Sequence, residues 1–283
     1  MHRKQIFMKQ FFLFSLIIIL SVHVVGQSVD EYDQKIAECW SKDNYKCCEE
    51  NTLALIALVG EDYGKLYLLY NNLGTIQRRL NRMGEALLSY EKAYKLNRNS
   101  SEVLSNTASL KRQMNNLEGS LLDYNLALVI KPNDEDLLIN RSGTKKMLKD
   151  TIGAEEDLQV VLKNNPKNYM ALTNLINIKV QRGDFDYALN NYNKMIADHP
   201  GEPILYNNRA DVYLRKKDYN QAFRDVNKAI ELGEKYDNAY VTRAEINIAI
   251  GERKKALKDL QKAVKLGNNT NHVLELISEC NRY

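Results

Sequence analysis

The sequence predicts an all-α protein, a solenoid of stacked helix-turn-helix units. Three observations carry this. Pro132, Pro166 and Pro200, three of only 4 prolines, are evenly spaced, at a period of about 34 residues that suits a helical repeat array. With 13 glycines in 283 residues, helix breakers are scarce, which favours helix. Framed on that period, small residues fall in register. Ala86, Ser120, Ala154, Ala188, Ala222 and Ala256 form one column. Gly74, Ala108, Ser142, Ala210 and Ala244 form another, with Ile176 its large member. Hydrophobic (44%) and charged (27%) contents are ordinary for a globular chain, which excludes a polytopic membrane protein, a collagen-like fibre and a wholly disordered chain.

Residues 1–26 read as an export signal. His2, Arg3, Lys4 and Lys9 precede an apolar run over 11–25, and Val24 and Gly26 supply small residues before a cut after Gly26. Fifteen apolar residues are short for a membrane span, which takes ~20. Cleavage is therefore expected over an uncleaved anchor, and membrane contact is expected only through this segment. The chain is expected to be exported to the periplasm or outside the cell, with envelope association open. Without Arg3, Lys4 and Lys9 the balance is 37 basic against 36 acidic side chains, which gives no electrostatic case for nucleic acid.

Residues 27–66 read as a degenerate helical repeat with a cysteine cluster. Its second helix contains LALIALV (53–59), expected to be deeply covered. Six units of one full period follow, at 67–100, 101–134, 135–168, 169–202, 203–236 and 237–270. Apolar residues recur at three and four positions on both sides of a polar turn in each, so each predicts two helices. One pair cannot bury its own apolar face, so stacked neighbours must cover it. Residues 271–283 read as a capping helix, with Val273, Leu274, Ile277 and Cys280 facing inward.

This pattern resembles the tetratricopeptide repeat. Tyr70-Asn71-Asn72-Leu73-Gly74 with Ala86 and Tyr90 is the best copy, and Tyr206, Ala210, Tyr213 and Ala222 form another. The resemblance implies a right-handed superhelical stack whose first helices line a groove for an extended peptide or partner helix. It places Asn72, Asn106, Asn140, Asn174 and Asn208 on that lining, one period apart, with Arg78, Arg79 and Arg112 making the early end basic. Asparagine both donates and accepts, so such a row suits a peptide backbone; the alternative is bonding to neighbouring helices. The expected groove is polar and amide-rich.

Arg141, Arg209 and Arg243 share one column, and Asp157, Asp225 and Asp259 follow them at one constant offset. Repeats with Leu73 or Leu175 have Ser89 or Asn191 instead. The columns vary together, which fits a structural ion pair joining the two helices better than a ligand-binding row. Asp123, whose own repeat has Thr107, is expected to reach Arg141 of the next unit. An oxidising compartment favours a disulfide. Cys39–Cys48 is the expected pairing, with reduced core cysteines as the alternative.

Two histidines outside the signal, no metal-type Cys/His spacing and no glycine-rich phosphate loop point away from catalysis, metal and cofactor. The expected function is an exported scaffold binding a protein or peptide. Its rivals are a self-associating structural solenoid of the envelope, and an accessory regulator of a separately encoded exported enzyme.

Overall fold

The computed structural model describes residues 28–282, so the expected export signal and its cut lie outside the described residues. The chain divides into two compact units, Met1–Pro166 and Lys167–Tyr283. The first contains α1 (28–41), α2 (Tyr45–Val59), α3 (Leu66–Arg79), α4 (Met83–Leu96), α5 (Ser101–Gln113), α6 (Leu117–Ile130), α7 (Glu135–Met147) and α8 (Thr151–Asn164). The second contains α9 (Tyr169–Gln181), α10 (Phe185–Asp198), α11 (Pro203–Arg215), α12 (Tyr219–Leu232), α13 (Asp237–Ala249), α14 (Arg253–Lys265) and α15 (Asn271–Asn281). Among the described residues these are all helices, with no strand, and none is long and apolar enough to cross a membrane. Helices pack as hairpins, α3 on α4 through α13 on α14, and each hairpin packs on its neighbour within its unit.

Turn chemistry fixes each hairpin. Asn81, Asn115, Lys149, Gly183, Lys217 and Gly251 all adopt positive φ just past a first helix. The next residue's N–H then returns to the last turn, as in Arg82 to Gln77 O (2.9 Å) and Asp218 to Tyr213 O (2.9 Å), which caps the orphan carbonyls. Asn116, Asp150, Asp184 and Asp218 occupy that next position and cap the second helix, each accepting from a backbone N–H with its side chain. One tripeptide thus ends one helix and starts another. First helices are capped in turn by Ser100, Asp134 and Asn168.

The small-residue column from Ala86 to Ala256 is completely or almost completely buried. It lets two backbones approach, and Tyr90, Tyr124, Leu158, Tyr192, Val226 and Leu260, all under 3% exposed, fill the space beside it. Gly74 shows how close the approach is. A Cβ there would stand 2.7 Å from the Tyr90 ring and 3.1 Å from Ala86 O.

Three sequence expectations are corrected. The 53–59 segment is amphipathic: Leu55 is fully buried, but Leu53 and Leu58 are 48% and 40% exposed, because only one face of α2 is covered. In α15, Val273 and Cys280 are buried on Leu260 and Ala263, while Leu274 is exposed and Leu276 packs in part instead. The disulfide joins Cys39 to Cys47 rather than to Cys48, with Cα atoms 5.8 Å apart. Cys48 is fully buried and free, its thiol facing Ile36 O at 3.8 Å, one turn along α1 from Cys39. Adjacent helical residues point ~100° apart, so only one of the two can meet Cys39.

Candidate functional site: the first-helix clefts

In the first unit a cleft of about 600 Å³ opens between α1, α3 and α5. Asp33, Ile36 and Trp40 form its α1 side, and Asn71, Asn72, Thr75, Glu102 and Asn106 come from α3 and α5. The disulfide lies beside Trp40 and ties the end of α1 to α2. Trp40 stacks edge-on against Tyr45 and stays 39% exposed.

In the second unit two clefts adjoin on α9, α11 and α13. The polar one, about 410 Å³, is lined by Asn177, Asn207, Asp211, Arg215, Asn238 and Thr242 among others. The other, about 550 Å³, is lined by Tyr169, Met170, Met195, Ile204 and Leu205, with His199 and Glu202 at its edge. Thr173, Ile204 and Asn208 line both. Tyr192 sits under the polar cleft. Burial, and then the nearby Asp211 charge, push its hydroxyl up to about 12 against a hydrogen bond from Asn208. Tyr236 is likewise raised by burial, against hydrogen bonds from Asn238 and Asn207.

The polar, amide-rich lining expected from sequence is therefore joined by an apolar one. Met170 and Ile204 are 64% and 48% exposed and make an apolar recess. Both stand second in their units, one period apart, where the other four carry Leu68, Glu102, Asp136 and Asn238, so the apolar pair at 170 and 204 was visible in the sequence.

The asparagine column divides by environment. In the first unit Asn106 Nδ2 donates to Asn71 Oδ1 (2.9 Å), and Arg112 donates to Asn140 O (2.9 Å) and Oδ1 (3.4 Å). These residues tie neighbouring helices together. In the second unit Asn208 faces the Tyr192 hydroxyl. Asn72 is exposed and Asn174 half-buried, and both line clefts. The expected basic end is also engaged: Arg78 Nε donates to Gln113 Oε1 (2.8 Å), which leaves Arg79 as its exposed cation.

The structure brings each Arg–Asp set together in a two-pronged pair. Arg141 donates to Asp157 at 2.9 and 2.7 Å, Arg209 to Asp225 at 2.7 and 2.7 Å, and Arg243 to Asp259 at 2.9 and 2.7 Å. The remaining guanidinium nitrogen donates to Asn125 (2.9 Å), Asn193 (2.6 Å) or Asn227 (2.9 Å), on the second helix of the preceding pair. Each arginine thus joins three helices. The asparagines were not singled out from sequence, although each precedes its arginine by the same offset, while Leu73 and Leu175 have Ala57 and Gln159 there. Asp123 does not reach Arg141, whose free prong takes Asn125. Its partner is Lys111 of its own hairpin, at 2.7 Å. Burial raises the Asp123 carboxyl above the ordinary carboxylate value despite that partner. Among the described residues no group of three or more His, Cys, Asp or Glu could hold a metal ion.

Paired helices repeating at fixed spacing, with open clefts on their first helices, define a helical-repeat protein. Tetratricopeptide repeat profiles match residues 67–100 and 173–239. A tetratricopeptide repeat protein from Parabacteroides merdae ATCC 43184 is 31% identical, covers 90% of this chain and 99% of its own, and superposes with a TM-score of 0.77. The chain belongs to the tetratricopeptide repeat family. More distant structures share the fold. PilW, a type IV pilus biogenesis factor, is 15% identical over 75% of this chain and 99% of its own, with a TM-score of 0.62. The Cut9–Hcn1 hetero-tetramer is 15% identical over 84% of this chain and 48% of that one, with a TM-score of 0.61. No curated protein sequence matches the chain.

Proposed function

We propose that the chain is an exported scaffold that holds an extended segment of a partner protein on its first helices. The observation that carries this is the pair of adjoining clefts on α9, α11 and α13, where side-chain amides border an exposed apolar recess. That combination suits a peptide better than a small polar metabolite. The Cut9–Hcn1 assembly, in which a protein of this fold sits in a hetero-tetramer, supports a protein partner. The test is affinity capture from the native envelope fraction, repeated with Asn72→Ala/Asn174→Ala. Among the described residues neither asparagine bonds helices together, so melting should hold while affinity for the captured partner drops roughly tenfold, as ~1.4 kcal/mol of lost bonding implies. Undiminished capture refutes the groove reading. N-terminal sequencing that starts at Gln27 supports export, and retention of residues 1–26 refutes the cut.

A second reading, self-association, is favoured by a set of exposed apolar side chains. Leu88 on α4, Leu122 and Val129 on α6 and Ile152 on α8 are 59–78% exposed on second helices of the first unit. Light scattering of the purified chain separates a monomer from an assembly.

A further inference from the structure

Asn207 carries a buried acceptor that no group among the described residues reaches. The residue is 7% exposed, and its Oδ1 has no hydrogen bond. Its amide faces the Tyr236 hydroxyl, and the side chain lines the polar cleft. Other buried atoms without a hydrogen bond have charges or polar groups close by. Asp123 has the Lys111 ammonium at 2.7 Å, Arg82 is ion-paired through its other nitrogens, and Tyr124 faces Ser109.

The first unit shows the same position completed. Asn71, 1% exposed, donates to Glu102 Oε1 at 3.0 Å, and its Oδ1 accepts from Asn106 of the next repeat. The residue at the same offset from Asn207 is Thr242. Thr242 is 7% exposed and lines the same cleft, but it bears a hydroxyl on Cβ where asparagine would extend an amide. The break in the asparagine series at the sixth repeat is what leaves the Asn207 oxygen unpartnered. Burying a carbonyl acceptor without a donor is unfavourable, so a native site that keeps one calls for an incoming donor.

We propose that Asn207 Oδ1 is the docking point for a backbone N–H of the bound peptide, and that a neighbouring bulky apolar side chain of that peptide fills the Met170–Ile204–Leu205 recess. This rests on the groove reading and specifies it. The recess meets the polar cleft at Ile204 and Asn208, so one peptide backbone can serve both. Specificity then comes from one large aliphatic or aromatic residue, and register from the amide beside it.

The experiment uses the full chain and three blocked pentapeptides. One is Ac-Gly-Gly-Leu-Gly-Gly-amide, the second has Ser for Leu, and the third is N-methylated at the glycine after Leu. Binding is followed by NMR at the Asn207 side-chain amide. The Leu peptide should bind, with the N-methyl peptide at least about fivefold weaker through the loss of one net hydrogen bond, and the Ser peptide at least about fivefold weaker through lost apolar burial. Thr242→Asn should supply the missing donor internally, raise the melting temperature and weaken the Leu peptide at least about fivefold. Thr242→Val should keep the wild-type preference. Equal binding of the N-methyl and Leu peptides overturns the inference, and that comparison needs no variant to fold. Thr242→Asn that gains stability but binds as wild type also overturns it and assigns the oxygen to a bound water only. A chain that binds none of the peptides overturns the groove reading together with this one.

Discussion

Replacing Arg209 by leucine should destabilise the second unit by about 3 kcal/mol, because it leaves a buried carboxylate uncompensated. The Asp225 side chain is 10% exposed, and Arg209, 18% exposed, supplies both of its guanidinium hydrogen bonds. Losing the prong to Asn193 adds about 1 kcal/mol at most, since that bond is solvent-exposed. The protein itself provides the control. Its fourth repeat has Leu175 and Asn191 at these positions. The double variant Arg209→Leu/Asp225→Asn copies that solution and should fall within about 1 kcal/mol of wild type, because no charge is stranded. The coupling between the two sites is then about 2 kcal/mol or more. Urea unfolding measures it. Trp40, the chain's 1 tryptophan, lies in the first unit, so its fluorescence reports that unit while circular dichroism reports both. The shift should be read in the dichroism transition. A single variant as stable as wild type, or a double variant as weak as the single, would refute the reasoning.

Gly74→Ala should cost about 1–3 kcal/mol despite alanine's higher helix propensity, since its methyl meets the Tyr90 ring; an unchanged fluorescence midpoint would show that the ring yields freely. Peptide mapping without reduction should find Cys39 bridged to Cys47, with Cys48 and Cys280 alkylated only after unfolding, since burial raises both thiols and hides them. Opening that short loop with Cys47→Ser should cost up to about 2.5 kcal/mol in the first unit, measured by the same urea unfolding. Asp123, its folded carboxyl raised above 3.8 by burial, holds its proton more tightly folded than unfolded, so wild-type stability should fall relative to Asp123→Asn as pH rises from near 4 through the folded value. Parallel pH titrations of the two melting temperatures test that sign.

The sequence alone determined the repeat, the helical pairs and the packing columns, because close approach of two helix backbones demands small residues at a fixed spacing. Ala86 to Ala256 record that steric requirement directly. The Arg–Asp sets were legible for a similar reason: a buried charge needs its partner, so the two columns change together within one chain, and Asn125, Asn193 and Asn227 follow the same rule. Tertiary structure decided what depends on rotation and reach. Cys47 and Cys48 are neighbours in sequence, yet the packing of α1 on α2 turns only Cys47 toward Cys39. Asn106, Asn140 and Asn174 look equivalent along the chain, but two are held by adjacent helices and one is open to a cleft. Asn71 and Asn207 occupy the same place in their units, and the residue at the matching position of the next repeat, Asn106 or Thr242, differs: one oxygen is satisfied and the other is not. Spacing encodes which helix face a residue occupies; the length and direction of the neighbouring side chain, set by packing between repeats, fixes whether its hydrogen-bonding groups remain for a ligand.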